Sequence, residues 1–233
     1  MGIFDILGPV MVGPSSSHTA GAVRIGAFAR QLLGAPPVRA DIQLHGSFAA
    51  TGEGHGTPLA LLAGLLGLAP DDERIPQAEA LAPEHGLAYQ FEPVDLGDEA
   101  HPNSVRLRLE AAPADPGADP ATSLELCASS VGGGRILVWR IDGFPVDLDG
   151  QYPTLLLTYP DRPGAVAIVS AILANAALNI ATIKAHRTTR GGQALMTVEL
   201  DAEPPAGILE AVRCLPQFEQ VRFIPRLGFG GQR

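Results

Sequence analysis

Lysine is almost missing from this chain: Lys184 is the single one among 233 residues. An enzyme that holds pyridoxal through a lysine Schiff base has one place to do so. Cysteine is nearly as scarce. Cys127 and Cys214 have no metal-type spacing and are too few for a disulfide framework. A cubane iron–sulfur cluster takes three or four thiolates, more than the chain carries. Each cysteine therefore reads as a small buried hydrophobe. No run approaches the roughly 20 uncharged apolar residues of a membrane span. The start MGIFDILGPV lacks the basic region and long apolar core of a secretory signal. Gly2 lacks the Ser/Thr of a myristoylation site. The reading is a soluble, cytoplasmic protein. Excess positive charge is lacking too, and a net charge of −9 argues against nucleic acid as a partner.

What is present is unevenly spread. Residues 1–151 carry 8 basic and 19 acidic residues, a balance of −11, whereas residues 152–233 carry 8 and 6, a balance of +2. The shift predicts a domain boundary near 150. Hydrophobic residues make up 46% of the chain, enough for a buried core. HTAGAVRIGAFARQLLG reads as an amphipathic helix with Ala20, Val23, Ala27 and Phe28 on one face and Gly34 as its stop. ADIQLHGSF reads as a strand and AATGEGHGT as a loop. TPLALLAGLLGL reads as a buried helix with Thr57 as N-cap and Pro58 first. DDERIPQAEALAPEHG is a further helix candidate. LAYQFEPV, SVRLRLE, TSLELCASS and RILVWRI read as strands, the last two paired around VGGG. PADPGADPA is an acidic, turn-rich loop, and DGFPVDLDGQYP a linker. Beyond it, TLLLTY, GAVAIVSAILANAAL, NIATIKAHRTT, QALMTVEL, PAGILEAVRCL and FEQVRFI follow the order β-α-β-β-α-β, a ferredoxin-like arrangement. Val166, Val169, Ile172 and Leu173 mark the core face of its first helix.

Five polar clusters carry chemistry or merely turns. In GPSSSHTAG, Gly13–Gly21, one serine suffices as an N-cap. Three serines with His18 at a helix mouth also make a site for an anion such as a carboxylate. In HGSFAATGEGHGT, Ser47, Glu53, His55 and Thr57 offer donors or a base, or else form a tight loop. His101–Asn103 reads as a turn. SSVGGGR, Ser129–Arg135, either cradles an anion with backbone amides or makes a bulged hairpin. No Walker lysine follows it. PDRPG with Asn179 and Ile180 lies where a ferredoxin-like domain could bind a small amino acid, or else forms a turn and a cap.

Together and in this order, FDILGPVMVGPSSSHTAGAVRIG, HGSFAATGEGHGT, HPN and VGGGRI, followed by the ferredoxin-like tail, resemble the β subunit of iron–sulfur-dependent L-serine dehydratase. The tail resembles an ACT domain. The resemblance covers essentially the whole chain. It implies an α+β fold, an N-terminal mixed α/β domain over 1–149 followed by a ferredoxin-like βαββαβ ACT domain over 150–233. It implies a lyase that converts L-serine to pyruvate and ammonia. The 4Fe-4S cluster would be ligated by cysteines of a separate α subunit rather than by this chain, which supplies no metal ligand. His18 and His55 would be catalytic, and Ser15, Ser16, Ser17, Thr19, Ser47 and Thr57 would bind substrate. Which chain supplies the proton-abstracting base stays open. In the ACT domain, Asp161, Gly164, Asn179 and Ile180 would meet a small amino-acid effector, and the domain could also join two β chains. Pro58 stands where the family pattern carries Asp, so no role of that Asp transfers.

A second reading is of another class. The chain could be a non-catalytic regulatory subunit for an amino acid or phosphorylated acid. Its first domain would then resemble the allosteric substrate-binding domain of some serine-pathway dehydrogenases. The GPSSSHTAG block speaks against it. A pyridoxal-dependent dehydratase would have to use Lys184, which lies on a small-domain strand.

Overall fold

A computed structural model describes residues 11–113 and 122–228. The readings of Met1–Val10, and the acidic loop from residue 114 to 121, lie outside the described residues. The chain divides into two compact units. The first runs to Gly143 and takes in Asp147–Asp149; the second holds Phe144–Val146 and Gly150–Leu227.

The first unit is built on a mixed sheet. The strands of this sheet are β1 (Pro37–Leu44), β2 (Ala88–Pro93), β3 (Ser104–Ala111), β4 (Ser123–Gly132), β5 (Arg135–Ile141) and β6 (Phe144–Leu148, whose first three residues group with the second unit), in spatial order β2-β1-β3-β4-β5-β6. β1 and β2 run parallel; β1–β3, β3–β4 and β4–β5 are antiparallel. Alternation sorts the faces. Ile42, Leu107 and Leu126 are opposite one another and buried, while Asp41, Arg108 and Glu125 form a polar row on the other face. The segment expected to link the domains thus contains a strand, β6, because Phe144, Val146 and Leu148 alternate inward.

Two long helices cover the apolar face. A helix beginning with a π-turn over Ser16–Gly21 continues as α1 (Ala22–Leu33) and ends at Gly34 in the left-handed conformation. Every residue from Thr19 to Gly26 is buried, a wider face than the predicted stripe, and Ala27 is only half-buried. The reason is double coverage: α1 packs on β3–β5 and on α3 (Thr57–Leu66). α1 and α3 cross at glycine. A Cβ on Gly64 would collide with the Val23 carbonyl and lie 2.9 Å from Gly26 Cα. Between β1 and α3 lie the one-turn helix α2 (Ser47–Ala50) and a 3-10 turn, Glu53–His55. The predicted strand through Phe48 stops at Leu44 because Gly46, at φ 55°, turns the chain; a side chain there would meet the Pro102 carbonyl at 2.6 Å. Thr57 is not the N-cap of α3. Gly56 is, in the left-handed conformation, with Thr57 first and Pro58 second. The 3-10 turn brings Thr57 N–H to the Gly52 carbonyl at 2.8 Å, so Thr57 is already helical. The helix predicted near residue 80 is α4 (Ala78–Glu84).

The second unit has β7 (Thr154–Pro160), α5 (Ala165–Asn175), β8 (Ile180–Arg187), β9 (Gln193–Leu200), α6 (Ala206–Arg213) and β10 (Gln220–Ile224). Its sheet order is β10-β7-β9-β8, the ferredoxin-like one, with β9 antiparallel to both neighbours. Leu155, Leu157, Val169, Leu173, Met196 and Val198 form its core. Val166 is 42% exposed, contrary to the expected face, because the helix buries Ala165, Val169 and Leu173 at a spacing of four. Among the described residues no helix is long and apolar enough to cross a membrane.

Candidate functional site

The first unit gathers four of the polar clusters. At the mouth of the helix, Ser15 is the N-cap: its Oγ accepts from His18 N–H at 3.2 Å. Ser16 and Ser17 begin the π-turn, half-buried, and no hydrogen bond from either hydroxyl is made among the described residues. π-turns of this kind are frequent at functional sites. Thr19 and Thr57 are buried, and neither hydroxyl has a hydrogen-bond partner among the described residues.

His18 sits between hydroxyls. Its Nδ1 lies 3.5 Å from Ser15 Oγ and its Nε2 3.4 Å from Ser47 Oγ. Its ring meets Phe48 edge-on at 5.3 Å and lies 4.9 Å from the His55 ring, tilted by 33°. Partial burial pushes the His18 pKa below its ordinary value; the neighbouring His55 pushes the same way, and hydrogen bonding with Ser47 opposes them. His18 is therefore held neutral near pH 7. One nitrogen then carries a proton and the other a lone pair, and the tautomer depends on which hydroxyl donates.

Two further residues complete the cluster. Thr51 Oγ1 lies 3.1 Å from Ser47 Oγ, and its carbonyl accepts from His55 Nδ1–H at 2.9 Å. That bond leaves His55 Nε2 unprotonated in the neutral ring. Phe48, wholly buried, supports His18. Sequence reasoning passed over both Thr51 and Phe48. The four-residue spacing of Ser47, Thr51 and His55 was the available signal. Glu53 is exposed on the same loop.

The two remaining clusters are struts. The Pro102 carbonyl of the His-Pro-Asn turn accepts from Ser47 N–H at 2.8 Å, and the Asn103 carbonyl accepts from Ser130 N–H at 2.9 Å. Gly132, Gly133 and Gly134 all have positive φ and form the bulged hairpin turn between β4 and β5. The guanidinium of Arg24, buried in α1, donates to the Gly134 carbonyl. The glycine run is thus a turn clasped by a helix.

The four residues of the second unit do not converge in one chain. The Asp161 carboxylate pairs with Arg187 at 3.0 Å and accepts from Gly191 N–H at 3.0 Å. These contacts, the backbone N–H first, hold its pKa below the usual carboxylate value. Gly164 caps the start of α5, whereas Asn179, bonded to Asp201 at 2.5 Å, and Ile180 follow its end. The 11 residues of α5 separate the pairs by about 16 Å. Neither cysteine joins the cluster. Cys127 is buried on β4, its thiol pushed up to about 11 by burial first and Glu125 second, and Cys214 is exposed at the end of α6. Among the described residues no three His, Cys, Asp or Glu side chains are placed to hold a metal ion.

The family model of the serine dehydratase beta chain matches residues 2–139, and that of the ACT domain residues 154–216. A probable L-serine dehydratase beta chain of Bacillus subtilis (strain 168) is 40% identical over 219 residues, 94% of this chain and 96% of that one. The L-serine dehydratase beta chain of Peptoniphilus asaccharolyticus is 36% identical over 222 residues, 95% of this chain and 96% of that one. An L-serine dehydratase of Streptomyces coelicolor is 40% identical over 107 residues, 39% of this chain but 23% of that protein.

Proposed function

The chain belongs to the serine dehydratase beta chain family, and from that membership we propose that it is the smaller part of a two-chain L-serine dehydratase. It converts L-serine to pyruvate and ammonia only when joined to an α subunit. The observation that carries the reading is the convergence of His18, His55, Ser47 and the open serines at one helix mouth. It falls within the matched family segment of a chain that aligns almost end to end with named beta chains. The Streptomyces relative fits the partnership: most of that L-serine dehydratase lies outside the similarity, and in the two-chain reading an α subunit supplies the corresponding portion.

A 4Fe-4S cluster does not fit this chain's own donors. Cys127 is buried with a raised pKa and Cys214 stands alone in the other unit. Cysteines of the α subunit would hold it, and bound there it would supply the Lewis acid that helps the β-hydroxyl depart. This chain's residues bind and orient. Ser15 is engaged as cap, so Ser16, Ser17 and Ser47, with the helix N–H groups, grip the serine carboxylate. Neutral His18 and the bare Nε2 of His55 accept or return protons as the α-proton and hydroxyl leave. The products of that step, aminoacrylate and water, proceed to pyruvate and ammonia by tautomerisation and hydrolysis. Thr19 and Thr57, buried at the two helix starts with hydroxyls that have no partner among the described residues, complete the substrate-binding set. We assign residues 1–149 to the catalytic-partner domain and 150–233 to the ACT domain. Any effector site there takes Asp161 and Gly164 from one chain and Asn179 and Ile180 from a second, through a β–β contact. The protein works in the cytoplasm.

Anaerobic coexpression with the α chain, followed by a pyruvate assay, tests the reading. Activity is expected from the pair and not from this chain alone. Serine deamination by the isolated chain, or none from the pair, would overturn it.

A further inference from the structure

We propose that a cleft beside the Gly46–Thr57 segment is a docking groove for a basic, apolar-anchored segment of the partner chain; this rests on the two-chain reading above. The cleft measures about 450 Å³, within the range of sites that accept a small ligand or a few side chains. It opens at the carboxyl ends of β1 and β2, which run parallel and are joined by α2, α3 and α4. Such crevices are common binding positions in open α/β sheets.

Its lining has a definite chemistry. Leu44, Phe48, Leu59 and Phe91 make an apolar floor, while Glu53, Glu79 and Glu92 are exposed at the rim. Among the described residues no Lys, Arg or His lines it. Glu92 has one neutral contact, with Gln43 at 3.3 Å. Three carboxylates with no ion-pair partner among the described residues repel an anion, so neither a serine carboxylate nor a phosphorylated acid belongs here. They favour Lys or Arg, and the floor favours an apolar side chain between them. The excess of 11 negative charges over residues 1–151 steers a basic segment toward this unit. The groove also adjoins the proposed site. Phe48 forms part of the floor and its ring meets His18 at 5.3 Å. A segment seated there presses on the wall that supports His18, so docking and site assembly share one side chain.

The test titrates the full chain against the purified α chain, at low and high salt, with two double variants. Glu79→Gln/Glu92→Gln removes rim charge outside the proposed active site. Glu99→Gln/Glu110→Gln removes equal charge elsewhere. At low salt the groove variant should bind roughly tenfold more weakly than wild type, with the difference shrinking at high salt. The control should match wild type, and all three should share one melting temperature. Equal affinity for the groove variant and wild type would overturn the groove. So would equal weakening in the control, or a change confined to self-association of this chain, which would put a second copy there. If wild type forms no active complex, the two-chain reading fails first and the groove falls with it.

Discussion

At the scale of single residues, His18 is the group on which the candidate site turns. Burial, the proximity of His55 and two flanking hydroxyls act on one ring. The sign of the pH effect follows. A lowered pKa means the neutral ring persists below the ordinary value of 6.5. The activity of the assembled enzyme should therefore hold as pH falls to 6.5 and drop only as it passes through the lowered pKa. The same protonation favours the unfolded chain, so stability also declines in that window. His18→Ala should cost about 10²- to 10⁴-fold in kcat and remove the acidic limb from the kcat/KM profile. A limb that persisted would assign it to another group. Thr51→Val removes the hydroxyl beside Ser47 and keeps the carbonyl that accepts from His55. It should lower kcat roughly tenfold by loosening Ser47, while the acidic limb stays in place. The thiols give an independent check. With Cys127 buried and pushed up to about 11, and Cys214 exposed, iodoacetamide at mildly alkaline pH should label Cys214 alone in the native protein. Native labelling of Cys127, read by peptide mass, would contradict the packing of β4.

At the scale of elements, what was legible in the sequence had a local cause. The Gly34 stop, the βαββαβ order and the strands around VGGG follow from periodicity and turn chemistry within a few residues. The misses have tertiary causes. The strand predicted through Phe48 ended early because the Pro102 carbonyl, more than fifty residues on, occupies the space beside Gly46. The wide burial of α1 reflects α3 against its second face, which a single amphipathic stripe does not foretell. Thr51 was hidden because its contribution is partly a main-chain carbonyl. For the serines, the helix start was readable, but only the geometry shows that Ser15 is the cap. The glycine crossing of α1 and α3 is likewise long-range. Gly64→Ala places a methyl against the Val23 carbonyl and should destabilise the first unit by about 1–3 kcal/mol. Its effect on activity should be confined to the loss of folded protein.

At the scale of the whole molecule, two cores of different construction share one chain. The first buries Phe28, Leu61 and Leu107 between a six-stranded sheet and its helices; the second buries Leu157, Val169 and Leu173 within a βαββαβ unit. Each unit has its own buried core, and the expected cooperative blocks follow such cores rather than chain length. Calorimetry of the intact chain should therefore resolve two transitions. Leu61→Ala and Leu173→Ala each empty a wholly buried position and should each cost about 2–5 kcal/mol. Each should lower one transition and leave the other within experimental scatter. If both variants shifted a single common transition, the two units would be one cooperative block.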